Sequence, residues 1–331
     1  MTDQALARAR TGDPDAFAEL VEPFRAELQL HCYRILGSAA DAEDALQETL
    51  MAAWRGLGQF EGRSHVRAWL YRIATTRSLN MLRGNRTQVV TEAADHLPEP
   101  TRLGEPLWLE PYPDMLLSDL PDGAPGPEAR YEAREAISLA FTAAVQHLPP
   151  AQRAALILRD VLGFRAAEAA DTLECSVDAA NGLLKRARAT IARQLPPGER
   201  ERPPLPGSAA ERRTVTRFTD AYERGDTNAI IALLTDDATL TMPPLPLIYQ
   251  GKQPVADFHT AICATHRFRL IPTRANGQPA FGCYLCDPTA PVARAHGLLV
   301  LTLSGEQITD ITRFLDNSIL PRFGLPRNLP G

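Results

Sequence analysis

The chain has 331 residues, 44% hydrophobic and 23% charged, with 35 Lys+Arg against 40 Asp+Glu for a formal charge of −5. That composition fits a globular protein with room for two or three cores, and five dispersed cysteines (Cys32, Cys175, Cys263, Cys283, Cys286) exclude a disulfide scaffold and point to reduced thiols. No apolar run approaches a membrane span and the opening MTDQALARARTGDPDAF lacks a signal-peptide core, so the expected location is cytoplasmic, with no membrane partner.

Residues 13–86 read as helices. Asp13–Leu50 holds nine acids and two arginines, while Trp54–Arg86 holds seven arginines and one acid; blocks of opposite sign imply separate electrostatic partners. In DAEDALQETLMAAW, Ala45, Leu46, Thr49, Leu50, Ala53 and Trp54 form one face, with Asp41, Asp44 and Glu48 on the other and Ser38 or Asp41 as cap. Gly56, Gly58 and Gly62 make a loop. HVRAWLYRIATTRSLNMLR resumes as a helix with Val66, Trp69, Leu70, Ile73, Ala74 and Met81 inward and Arg72, Thr76 and Arg83 outward.

Residues 87–127 change character. Eight prolines fall between Pro98 and Pro127, and Glu92–Glu128 holds nine acids and one arginine. Such composition resists helix and sheet and reads as an acidic linker. A wholly solvated tether has little use for Leu107, Trp108, Leu109, Tyr112, Met115, Leu116 and Leu117, so part of it is expected to dock on a surface. Residues 128–195 return to helix: AQRAALILRDVLGF, RAAEAADTL, a short ECS turn, then VDAANGLLKRARATI. In the last segment Val177, Ala180, Leu184, Ala187 and Ile191 make an apolar stripe, and Asp178, Asn181, Lys185 and Arg188 share another face. Two short helices with the second carrying amide and basic groups is the helix-turn-helix pattern, although Glu174–Cys175 stand where a glycine is more usual. After a second linker, 196–207, the segments VTRFTDAYERGD and TNAIIALL read as helices. ATLTM, FGCYLC, HGLLVLTL and QITDITRFL read as strands. Residues 208–331 are therefore expected to form an α+β domain with a curved sheet.

At this point the residues carry a family. DAEDALQETLMAAWRGLGQFEGRSHVRAWLYRIATTRSLNMLR resembles region two of sigma-70-type factors of the extracytoplasmic-function group. LPPAQRAALILRDVLGFRAAEAADTLECSVDAANGLLKRARATI is similar to region four, and the part after Ser208 resembles SnoaL-like cone domains. The resemblance implies a multidomain chain: two all-α sigma domains, 1–86 and 128–195, then a SnoaL-like α+β cone at 208–331. It implies core RNA polymerase and promoter DNA as partners. By position, Asp44, Gln47 and Glu48 would meet the polymerase clamp helices. Arg63, Arg67, Arg72, Arg77, Asn80 and Arg83 would handle the melted −10 element, where phosphates and unstacked bases need cations and pockets; Trp69, on the apolar stripe, reads as core. Asp178, Asn181 and Lys185 would meet −35 base edges, with Arg186 and Arg188 on phosphate. Asn181, Gly182 and Leu183 depart from common family residues, so the −35 sequence does not transfer. The acidic linker would thread toward the polymerase active centre.

For the C-terminal domain three roles compete: control of the sigma core, sensing of a small ligand, and isomerase- or cyclase-like catalysis. Asp237, His259, Asp310 and Arg313 are pocket candidates by residue type, and catalysis would need an acid–base pair among them. Cys283 and Cys286, three apart on a strand, fall on opposite faces; no metal site and no cofactor are expected. The rival reading of the whole is a helix-turn-helix regulator with a ligand-sensing or enzymatic tail.

Overall fold

The computed structural model describes residues 2–60, 65–83, 97–105, 107–117, 136–194, 201–287 and 289–330. The chain divides into two units, 1–87 with 116–197, and 88–115 with 198–331.

The first unit is helical. Its elements are α1 (Thr2–Arg10), α2 (Pro14–Val21), α3 (Arg25–Leu36), α4 (Ala39–Gly56), α5 (Val66–Arg83), α6 (Leu139–Gln146), α7 (Pro150–Leu156), α8 (Ala166–Thr172) and α9 (Val177–Gln194). The caps are legible: Asp13 accepts from the N–H groups of Asp15 and Ala16, with Pro14 at the first helical position, and Ser38 accepts from Asp41 N–H to start α4. Helix α3 is buried almost all round, through Leu28, Leu30, Cys32, Tyr33, Ile35 and Leu36, so it is the axle of the bundle and shows no clean amphipathic stripe.

Two side-chain placements differ from expectation. The buried stripe of α5 is Leu70, Tyr71, Ala74, Thr75 and Ser78, while Val66, Trp69, Ile73 and Met81 are only half-buried. Tyr71 turns inward because its ring packs edge-on against His31 and Phe164. Trp69 lies on the Phe60 ring, 4.8 Å between centroids, at the edge of the core. Trp54, expected inward on α4, is 38% exposed and meets the Phe17 ring edge-on.

The two helical halves of this unit are locked together. Arg153 on α7, 5% exposed, donates to the carbonyl of Ile35 at the end of α3 (2.6 Å), to Gln146 Oε1 (2.6 Å) and to the carbonyls of Gln146 (2.8 Å) and Leu148 (3.2 Å). Arg34 Nε donates to Ala136 O. Gly37 closes α3 at φ 74, and a side chain there would strike Gln146; only glycine serves both the left-handed turn and the close approach.

The second unit is an α+β fold. Helices α10 (Ala209–Arg224), α11 (Thr227–Ile231) and α12 (Lys252–Thr265) accompany a sheet of β1 (Arg102–Leu103), β2 (Leu234–Met242), β3 (Leu245–Gln250), β4 (Arg267–Ala275), β5 (Gln278–Cys286), β6 (Val292–Ser304), β7 (Gln307–Phe314) and β8 (Asn328–Pro330). The order is β1-β3-β2-β7-β6-β5-β4, with β8 on β6, and β2 and β7 run parallel. Register shifts at Gly282/Tyr284 and Thr302/Leu303 mark bulges that curve the sheet. Phe218 and Tyr222 of α10 and Val255 and Phe258 of α12 fill its helix-covered face, against Phe268, Phe281, Leu299, Leu301 and Ile311.

Strand β1 comes from the segment between the two helical halves. Of that segment, the described residues between 97 and 115 are part of the C-terminal fold rather than a free tether.

Candidate polymerase, promoter and interior sites

Helix α4 buries Ala42, Ala45, Leu46, Thr49 and Ala53. Asp44, Gln47 and Glu48 are all exposed at spacing three and four, and Met51, 51% exposed, extends their face by a turn. The result is an acidic helix face with an apolar end, suited to a basic partner helix.

The basic candidates of α5 fall into two groups; Arg63 lies outside the described residues. Arg67 is bound to its own scaffold: it makes a two-pronged pair with Glu27 (2.9 Å) and lies 4.8 Å over the Tyr71 ring. Arg77 is half-buried. Arg72, Asn80 and Arg83 share an exposed face with Thr76; Arg83 donates to Asn80 Oδ1, and Arg72 pairs with Glu174 at 3.4 Å. Glu174 sits in the turn between α8 and α9 with φ 54, so the turn takes the left-handed geometry without its usual glycine.

Helix α9 starts at a Ser176 cap on Ala179 N–H. It buries Ala180, Leu184 and Ala187 against α6 and α7, which leaves Asp178, Asn181, Lys185 and Arg186 exposed along one side. Arg188 is exposed too, but it is held by Asp160 in a two-pronged pair (2.7 and 2.9 Å).

Beneath these surfaces lie buried histidines. His31 Nε2 is 2.8 Å from Thr75 Oγ1; burial, helped by Arg34 and Arg67, pushes its pKa down to about 3. His259 in the second unit is likewise pushed down to about 3 by burial and by Arg313. Both stay neutral in the fold and take a proton when unfolded below pH 6.5. Their stability contribution is therefore complete above pH 6.5 and declines as pH falls toward 3, by about 1.4 kcal/mol per pH unit for each histidine. Urea denaturation at pH 7 and pH 5 should show this slope in both units, and H31Q should remove one proton's worth from the helical one.

The C-terminal interior brings together only two of its four candidates. Arg313 on β7 and His259 on α12 are both buried, 3% and 2% exposed, and the Arg313 charge is felt at the His259 imidazole. Asp237 is exposed on β2, and Asp310, accepting from Thr309 Oγ1, is three residues from Arg313 on the same strand and so on the opposite face. Neither Asp237 nor Asp310 is thus placed on the same buried side as His259. Sequence reading missed the other lining groups: Tyr222, edge-on to His259 at 5.6 Å, and Phe268, 5.7 Å beneath the Arg313 guanidinium. Cys283 is buried, Cys286 half-buried, and both are free thiols.

The same unit grips the segment 97–115. Tyr249 Oη donates to Pro98 O (2.6 Å), Gln250 N–H to Thr101 Oγ1 (3.1 Å) and Gly104 N–H to Pro246 O (2.7 Å), around the pairing of Arg102 with Ile248 and Leu103 with Leu247. Further on, Tyr112 and Asn276 exchange two bonds: Tyr112 N–H to Asn276 Oδ1 (2.8 Å) and Asn276 N–H to Tyr112 O (2.9 Å). Asp114 accepts from Gly277 N–H (2.7 Å) and from Arg274 Nε (3.1 Å), and Arg274 is steadied by Glu211 at 2.8 Å.

Comparison with known proteins agrees with this division. The Sigma-70 region 2 family matches residues 20–88, the Sigma-70 region 4 family residues 138–191, and the SnoaL-like domain family residues 215–311. The chain is 38% identical over 331 residues to the ECF RNA polymerase sigma factor SigG of Mycobacterium tuberculosis, covering 98% of this chain and 86% of that one. It is 31% identical over 203 residues to the RNA polymerase sigma-H factor of Pseudomonas aeruginosa, across 60% of this chain and 95% of that one. In fold it is similar to the crystal structure of the extracytoplasmic function sigma factor SigJ of Mycobacterium tuberculosis. The TM-score is 0.60 at 22% identity, with 94% of this chain and 99% of that one covered.

Proposed function

The chain belongs to the extracytoplasmic-function group of sigma-70-type RNA polymerase sigma factors, and from that membership we propose that its C-terminal unit restrains initiation by holding the segment between the two DNA-reading modules. As a sigma factor it binds core RNA polymerase and promoter DNA, and it is not an enzyme. In this reading it works in the cytoplasm, beside the polymerase. Asp44, Gln47 and Glu48 meet the polymerase, the exposed face Arg72, Asn80 and Arg83 meets the −10 strand, and Asp178, Asn181, Lys185 and Arg186 meet the −35 duplex. Arg67 and Arg188 are held by Glu27 and Asp160 in the free protein, and half-buried Arg77 borders the −10 face.

Magnitudes favour a closed resting state. Promoter elements 25 base pairs apart lie about 85 Å apart along B-DNA at ~3.4 Å per pair. A packed unit of some 170 residues has a radius of gyration of about 15 Å. Two modules locked by Arg153 into one such unit do not span that distance, so they must part before both elements are engaged. The observation that carries the proposal is the grip on residues 97–115: the chain that must stretch to let the modules part is fastened to the C-terminal fold. Run-off transcription with core polymerase on fragmented genomic DNA tests it, comparing the full chain with one ending at Gly207. More transcript from the shorter chain supports restraint; equal or less transcript rejects it.

A further inference from the structure

Helix α9 presents an apolar side chain on its polar side. By spacing Val177 belongs with Ala180, Leu184 and Ala187, yet those three are buried and Val177 is 42% exposed. The cluster that covers the stripe joins Leu184 and Ala187 to Val145, Leu148 and Leu156, and it does not reach back to the first turn of the helix. Among the described residues Val177 is the only large apolar side chain of α6–α9 left exposed. Helical phase decides what it stands beside. Successive residues turn by about 100°, so Val177, Asn181, Lys185 and Asp178 fall within one arc of about 100°. The three polar members of that arc are exposed. Arg188, on the same side two turns further on, is already tied to Asp160.

The N-terminal residues of a recognition helix are the ones that meet base edges in the major groove. There the thymine C5-methyl is the apolar group a base pair offers, while an amide side chain pairs with adenine. We propose that Val177 is a specificity-determining residue of the −35 contact, packing on a thymine C5-methyl beside an adenine read by Asn181. The proposal rests on the reading of α9 as the −35 helix and adds to it the base that its first residue selects. Val177 and Asn181 are four residues apart, ~6 Å along the axis at about 1.5 Å per residue. At ~3.4 Å per base pair, the thymine and the adenine then lie within about two pairs of each other. Cytosine in place of the thymine presents no methyl and sets its amino donor near a branched hydrocarbon that cannot accept from it. Because the buried stripe is complete without Val177, a change there alters base preference and leaves the fold of the module in place.

The test uses holoenzyme assembled from the full chain and core RNA polymerase, on the promoter fragment it selects from fragmented genomic DNA. Each thymine of the −35 element, on both strands, is replaced singly by deoxyuridine, which lacks only the C5-methyl. Affinity is read by competition at fixed salt. At one position the wild type should lose about 4-fold, the worth of one methyl group withdrawn from an apolar contact. V177S should bind the thymine duplex about 4-fold more weakly and should be indifferent to deoxyuridine at that position, with melting and core-polymerase affinity unchanged. V177I should keep the wild-type preference. Should V177S fail to assemble, V177A, a good helix former, carries the same comparison. Transversion of the whole −35 element checks the underlying reading: binding that ignores it removes α9 from the −35 contact, and the proposal with it. Where transversion weakens binding and no deoxyuridine does, the −35 reading stands and the Val177 contact is overturned. Equal deoxyuridine losses in the wild type and the variant overturn it as well.

Discussion

Replacing Asp114 by alanine should free the segment between the sigma modules and raise transcription. Its carboxylate accepts from the Gly277 N–H and from Arg274, which Glu211 also holds. Alanine leaves a backbone donor and part of a guanidinium without their acceptor, a loss of about 2–3 kcal/mol. Spent on a local opening, that corresponds to about 30–150-fold more of the released state. Hydrogen exchange should therefore accelerate by that order at the amides of Gly104 and Tyr112, which close the same contact. Amides in the interior of β6 should barely change. D114N, which can still accept from Gly277, should fall between. Run-off transcription from the D114A chain should exceed wild type in step with the exchange. Faster exchange with unchanged transcription would separate docking from control and end the restraint model. Uniform acceleration across the sheet would mean that the variant had merely weakened the domain.

The second large effect is expected at Arg153. This side chain stitches the carbonyl of Ile35, from the first helical half, to those of Gln146 and Leu148, from the second. R153M preserves much of the buried stem but strands three carbonyls, at a cost of about 3–5 kcal/mol. For a unit of this size that lowers the melting temperature by about 10 °C, measured by circular dichroism at 222 nm. The C-terminal transition should stay where it was. R153K keeps a charge without the planar fork and should recover only part of the loss. A wild-type melting curve in R153M would show that the two halves are held by apolar packing alone, and the closed resting state would lose its principal fastening.

What the sequence disclosed follows from how local each signal is. The acidic face of α4 was legible because Asp44, Gln47 and Glu48 alternate with small apolar residues at helical spacing. The inward face of α5 was misjudged by a turn's fraction because Tyr71 is called inward by His31 and Phe164, neither of which its own sequence announces. Strand β4 was overlooked although RFRLIPTRA alternates, since Pro272 argues against a strand; β4 lies at the sheet edge, where proline is tolerated. Helix α12 was also missed, with Pro254 in its first turn. The linker's apolar residues pointed to docking, but Arg102 meets Ile248 across most of a domain's length of chain. No local pattern encodes that. Arg313 was chosen by residue type alone; between Thr312 and Phe314 on a strand, nothing local announced that it would be buried.

The grip on residues 97–115 also makes residues 116–197 a closed loop, since the chain leaves the C-terminal unit at one end of that stretch and re-enters it at the other. Reattachment after release is then a first-order event whose equilibrium does not depend on how many copies of the factor a cell contains. A free peptide copying the segment would compete against an effective concentration of millimolar order. Overproduction or dilution therefore leaves the docked fraction untouched, and only an agent that alters the C-terminal fold, or the polymerase's own hold on the segment, can shift it.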